Sequence, residues 1–131
     1  MAVDVREKLK NDKLIFDGAM GTMLQNRGLK IGQLPEALNI TSPDVVIDIH
    51  KKYIKAGADI ITTNTFGANK YKLIDSNYTV KEVIDAAIGN AKMAIGDKDI
   101  YIALDIGPIG ELLEPMGTLS FQEAKSPHWL Q

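Results

Sequence analysis

Three short apolar runs, each closing on a polar side chain followed within a few residues by glycine, constrain this chain more than any other feature. They are Lys13 to Asp17 with Gly18, Ala58 to Thr63 with Asn64 and Gly67, and Asp99 to Asp105 with Gly107. Runs this short and apolar match strands covered on both faces, although a buried helical segment can mimic them. Their closing residues Asp17, Asn64 and Asp105 lie 47 and 41 residues apart. Each gap holds an amphipathic helical pattern, so the order is strand, helix, strand, helix, strand. That alternation specifies an α/β fold of parallel strands joined by right-handed crossovers.

The helices carry their own start and stop signals. Ser42-Pro43-Asp44 predicts a helix start, with a hydroxyl N-cap, proline where no N–H is needed, and an acid at the positive end of the dipole. Val45, Val46, Ile49, Tyr53 and Ile54 keep helical spacing, and Gly57 follows Lys51, Lys52 and Lys55 as a stop. Thr79-Val80-Lys81-Glu82 matches a capping box ahead of an apolar stripe that ends at Gly96. A short helix is expected over Ala19 to Asn26, its Met20, Met23 and Leu24 read as core packing. Ser120 to Glu123 is a further capping box, but Pro127 stops the helix it announces after about one and a half turns.

Composition removes whole classes of function. Seventeen acidic and 15 basic residues give a net charge of −2, without the basic patch expected of a nucleic-acid or membrane-surface protein. No apolar run approaches the length of a membrane span, and the N-terminus has no apolar core of a signal peptide. A cytoplasmic protein is expected. With no cysteine, disulfides, thiolate zinc sites and cysteine nucleophiles are excluded. His50, among lysines on its helix, is read as a surface residue, and His128 is given no role. Gly18 to Thr22 lacks the lysine of a phosphate-binding P-loop.

In parallel α/β folds ligands bind at the carboxyl ends of strands. Three polar strand ends beside glycines therefore suggest one shared pocket. Asp17 is either an acceptor for a ligand ammonium or an Asx-type cap. Thr63, Asn64 and Thr65 either line the pocket or hydrogen-bond within their own loop.

The segments Phe16-Asp17-Gly18-Ala19-Met20-Gly21-Thr22-Met23-Leu24-Gln25, Ala56-Gly57-Ala58-Asp59-Ile60-Ile61-Thr62-Thr63-Asn64-Thr65-Phe66-Gly67-Ala68 and Asp105-Ile106-Gly107-Pro108, in this order, resemble the homocysteine-binding domain of the homocysteine S-methyltransferases. They are most like the N-terminal module of the cobalamin-dependent methionine synthases. The resemblance implies a TIM-type (β/α)8 barrel in which zinc, held by three cysteines of later strands, activates the homocysteine sulfur. It implies that Asp17 binds the substrate ammonium and that backbone amides near Gly18 and Ala19 meet its carboxylate. Thr63, Asn64, Thr65 and Asp105 would line the same site. Methylcobalamin is a possible donor in the parent enzyme, and homocysteine is the implied partner.

A complete barrel takes about 250 residues, so these 131 are expected to form about three of eight βα units. Residues 1–124 are read as the N-terminal part of the barrel and 125–131 as a tail unlike the family. Without zinc thiolates the isolated chain is expected to be inactive, with no catalytic or metal-binding residue of its own. The alternatives are a non-catalytic fragment or association module with at most weak amino-acid binding, and a small open-sheet domain for another ligand. Open sheet edges would favour self-association.

Overall fold

Pro43–Lys55 and Val80–Ile95, here α4 and α5, are the two long helices, and they pack against one another. The computed structural model describes residues 3–125. Shorter helices are α1 (Val5–Lys8), α2 (Met20–Gln25), α3 (Leu38–Thr41) and α6 (Phe121–Lys125), with a 3-10 turn at Pro35–Ala37. The strands are β1 (Ile60–Thr62) and β2 (Tyr101–Ala103), parallel, with Ile61 opposite Ile102. The tail expected at 125–131, and with it Pro127 and His128, lies outside the described residues except for Lys125.

The first expected strand is corrected to a single parallel bridge between Phe16 and Ile60. Two carboxylates explain the loss. The ladder begins normally, with Ile60 N–H donating to the Ile15 carbonyl and Asp17 N–H to that of Ile60. At one end the Asp59 side chain takes the N–H of Ile15 at 2.9 Å. At the other, the Asp17 side chain takes the N–H of Thr62 at 2.9 Å. Side-chain acceptors thus replace the main-chain acceptors that would extend the strand.

Thr79 and Glu82 form the capping box expected for α5: Thr79 Oγ1 accepts from the N–H of Glu82 and the Glu82 carboxylate from that of Thr79. Val80, Val83, Ala87, Ala91, Ala94 and Ile95 then bury one stripe. Ser42 precedes α4, but its side chain makes no cap bond. Its backbone serves two helices instead, donating to Leu38 at the end of α3 and accepting from Val45 in α4. Pro43 supplies the helix start without the hydroxyl.

The core has three regions. Ala58 and Ile61 pack with Ala91 and Ile95 of α5. Ala68 and Leu73 pack with Val80 and Val83. Leu24 packs with Val46 and Ile49, flanked by Met20 and Met23. Full burial of a residue such as Ile61 is worth about 1.5–3 kcal/mol, whereas each exposed ion pair, such as Lys10–Glu7, adds about 0–1 kcal/mol. Packing of α4 and α5 onto β1 therefore fixes where the strand ends point.

Candidate functional site

Where β1 ends, Thr63 and Thr65 turn the chain with buried side chains. A hydroxyl has one hydrogen to give. Thr65 Oγ1 gives its own to the Asp105 carbonyl at 2.7 Å, so the 2.7 Å contact between the two hydroxyls is donated by Thr63. Thr63 Oγ1 in turn accepts from the Asp105 N–H at 3.2 Å. This closed ring clamps the end of β1 to the end of β2. The threonines thus hydrogen-bond to one another and across to Asp105, and the same bonds shape the surface beside them.

Asn64 extends the clamp. Its Nδ2 donates to the Pro35 carbonyl at 2.8 Å, and its carbonyl accepts from Asn39 Nδ2 at 2.7 Å. Asn39 also donates to the Glu36 carbonyl, and Asn90 of α5 donates to that of Asn39. Glu36 is 4% exposed, and its Oε1 accepts from the Gly67 N–H at 2.7 Å. These buried bonds fasten the 3-10 turn and α3 over the end of β1.

A cleft of 260 Å³ results, lined by Met20, Gly21, Pro35, Glu36, Thr63 to Phe66, and Asp105. Four of the seven expected site residues, Thr63, Asn64, Thr65 and Asp105, line it. Asp17, Gly18 and Ala19 do not, although the next two residues in sequence do. The Asp17 carboxylate is engaged with Thr62, accepting from its N–H at 2.9 Å and its hydroxyl at 2.8 Å. The Asp105 carboxylate makes no hydrogen bond or ion pair with a described residue.

Two glycines permit the close approach that the strand-end loops require. A Cβ on Gly107 would lie 2.3 Å from the Phe66 carbonyl oxygen. One on Gly18 would lie 2.9 Å from the Tyr53 hydroxyl, which donates to the Ala19 carbonyl at 2.8 Å. Tyr53 thus pins the Gly18–Ala19 loop onto α4. The amides of Gly18 and Ala19 donate to no group of the described chain.

His50 is a correction. Read from its lysine neighbours as a surface residue, it is fully buried on α4, and neither ring nitrogen has a hydrogen-bond partner among the described residues. The lysines at 51 and 52 are exposed on other faces of the helix, as helical spacing allows. Burial holds the imidazole below its ordinary pKa, while the charge of Asp17 pulls it upward. Burial, and then Asp17, raises the Tyr53 phenol.

No sequence pattern singles out Glu36 or Asn39. The only signal was an acid and an amide set among Leu34, Ala37, Leu38 and Ile40 in what reads as a polar connection. A wider groove of 570 Å³ opens at the opposite strand ends, beside Asp59. Its cations, Lys51, Lys55 and Lys98, are exposed, and Asp59 is committed to Ile15.

Zinc does not fit the residues present. The chain has no cysteine, and among the described residues no three histidine, aspartate or glutamate side chains gather to hold an ion. Among them also, no helix is long and apolar enough to cross a membrane.

Similarity to known proteins bears on the fold and the family. Methionine synthase of Mycobacterium leprae (strain TN) is 44% identical over 78 residues, and that of Mycobacterium tuberculosis (strain ATCC 25618 / H37Rv) 42% over 78. Each alignment takes 55% of this chain and 6% of the relative, so the chain spans a small part of those proteins. The homocysteine methyltransferase MmuM from Escherichia coli superposes with a TM-score of 0.69 in both its oxidized and its metallated form. At 22% identity the superposition covers 81% of this chain and 41% or 42% of those chains, and it shows a shared fold. The family model described as homocysteine S-methyltransferase matches residues 14–131. By that match, this chain belongs to the homocysteine S-methyltransferase family.

Proposed function

We propose that this chain forms the amino-acid-binding part of a homocysteine site and does not by itself carry out methyl transfer. Residues 1–124 then correspond to about the first three βα units of a TIM-type barrel, with homocysteine at the strand ends. The unpaired amides of Gly18 and Ala19 meet the substrate carboxylate. Thr63, Asn64, Thr65 and Asp105 wall the cleft, and the Asp105 carboxylate is free to accept from the ammonium. Asp17 joins Phe16 to β1 through Thr62, and each of its oxygens keeps a lone pair that the ammonium can use.

The observation that carries this reading is the hydrogen-bonded ring of Thr63, Thr65 and Asp105, which fixes two strand ends around a cleft holding unpaired carboxylate. Sulfur activation is assigned to groups outside this chain, because no residue in it supplies a thiolate. Its methyl donor, methylcobalamin or another, would be recognised outside it too.

Two measurements on the purified chain test the proposal: calorimetric titration with L-homocysteine, and a zinc-supplemented homocysteine methylation assay. Binding without turnover is expected, and Asp17→Asn should weaken it. Turnover by the 131-residue chain would refute the division of labour, and absence of binding would refute the site.

A second reading, an association module, draws on Ile15, Phe16, Leu104 and Ile106, which are 61, 59, 45 and 59% exposed beside the short sheet. Exposed apolar side chains in this number support an interface reading.

A further inference from the structure

Glu36 is a carboxylate that the motif resemblance leaves without a role, and the geometry points to it as a binding residue for the ligand's ammonium group. This rests on the amino-acid-binding reading above and deepens it.

The side chain is 96% removed from solvent, yet it lines the cleft. Oε1 is taken by the Gly67 N–H at 2.7 Å, and the contact is tight enough that a Cβ on Gly67 would lie 2.8 Å from that oxygen. Oε2 has no partner among the described residues, which leaves it the Glu36 oxygen available to a ligand in the cleft that the residue lines. A buried carboxylate with a single neutral donor is costly unless a cation or further donors complete it.

The rest of the wall asks for the same kind of ligand. Asp105 adds a second carboxylate unpaired among the described residues, and among them no lysine, arginine or histidine lines the cleft. The hydroxyl hydrogens of Thr63 and Thr65 are committed to the ring, so both offer only acceptor capacity. Nearby, on the residue that bonds the Glu36 and Asn64 carbonyls, Asn39 Oδ1 is buried without a donor among the described residues. A compact, donor-rich cation completes this set, and a primary ammonium brings three N–H donors on one charge. Anchoring of Glu36 through Gly67 places its free oxygen before the ligand arrives.

The test compares L-homocysteine with 4-mercaptobutanoic acid, which keeps the carboxylate and thiol but lacks the ammonium, by titration calorimetry on the full chain. The wild type should prefer L-homocysteine. Glu36→Gln keeps the acceptor for Gly67 but turns a neutral amide toward the ligand. It should weaken L-homocysteine binding about ten- to a hundred-fold, the range of a charge-assisted hydrogen bond, and leave 4-mercaptobutanoic acid unchanged. If Glu36→Gln keeps the preference for the ammonium-bearing ligand, Glu36 has no such role and the amino-acid site stands without it. If the wild type binds neither ligand, the proposed function falls and this inference falls with it.

Should Glu36→Gln fail to fold, carbon-13 carboxyl NMR of the wild type with labelled glutamate decides instead. The Glu36 signal, identified by its loss in Glu36→Asp, should shift on adding L-homocysteine but not 4-mercaptobutanoic acid. A signal unmoved by both overturns the assignment.

Discussion

Replacing Thr63 by valine tests the ring that holds the strand ends. Valine has nearly the same shape, so the buried site keeps its packing and loses only the hydroxyl. Two hydrogen bonds go: the one given to Thr65 and the one accepted from the Asp105 N–H. Each is worth about 0.5–1.5 kcal/mol net, and an acceptor lost to a partly buried N–H adds to that. The sum is about 2 kcal/mol. In urea unfolding followed by circular dichroism, a denaturant slope of about 1.5 kcal/mol per molar turns this into a midpoint drop of about 1.3 M. Thr41→Val is the control, because that exposed hydroxyl makes one 3.2 Å bond to the Ala37 carbonyl and should cost less than about 0.5 kcal/mol. Thr65→Val completes a cycle. Once Thr63 is gone, Thr65 has only its bond to Asp105 left to lose, so the double variant should fall short of the sum by about 1 kcal/mol. Equal midpoint shifts for Thr63→Val and Thr41→Val, or strict additivity of Thr63→Val and Thr65→Val, would refute the ring.

Other expectations follow from single contacts. Gly107→Ala forces a methyl to within 2.3 Å of a main-chain oxygen and should cost about 2–4 kcal/mol by thermal unfolding, whereas Gly89→Ala, on an open face of α5, should gain about 0.5–1 kcal/mol. The opposite ranking would refute the close approach of Gly107 to the Phe66 main chain. Because burial lowers the His50 pKa in the fold, the unfolded chain takes up the proton first as pH falls past about 6.5, and stability declines from there downward. His50→Leu should flatten the melting temperature between about pH 6.5 and 5, and an unchanged slope would mean that the imidazole is not buried neutral. Thr79→Ala should cost about 1 kcal/mol by removing the N-cap hydroxyl of α5, read from the urea midpoint. Sedimentation velocity should give a mass above that of one 131-residue chain and rising with concentration, through the apolar surface at Ile15, Phe16, Leu104 and Ile106. A single monomeric boundary at every concentration would discard the association reading.

Periodicity and capping made the helices legible, since both are local. Thr79, Val80 and Glu82 state where α5 begins, and the spacing of its apolar residues states which face it buries. Gly57, with φ of +108°, follows α4 as expected of a residue just past a helix end. The sequence by itself also determined that strand ends carrying Asp17, Thr63, Asn64, Thr65 and Asp105 would be polar, and that no thiol exists to hold zinc.

Tertiary structure decided what each polar group does there. Asp17 and Asp59 became ladder caps that cut the first strand to one bridge, because their carboxylates reach N–H groups 45 and 44 residues away in sequence. Glu36 entered the cleft, and His50 the core, for the same reason: burial is set by which helix face meets which neighbour. A residue's charge or immediate neighbours in sequence do not carry that information. Hydrogen bonds such as Asn39 to Asn64 and Asn90 to Asn39 join segments 25 and 51 residues apart, so no local pattern announces them. The motif therefore drew attention to the strand ends, while packing of α3, α4 and α5 selected which acceptors there are left without partners.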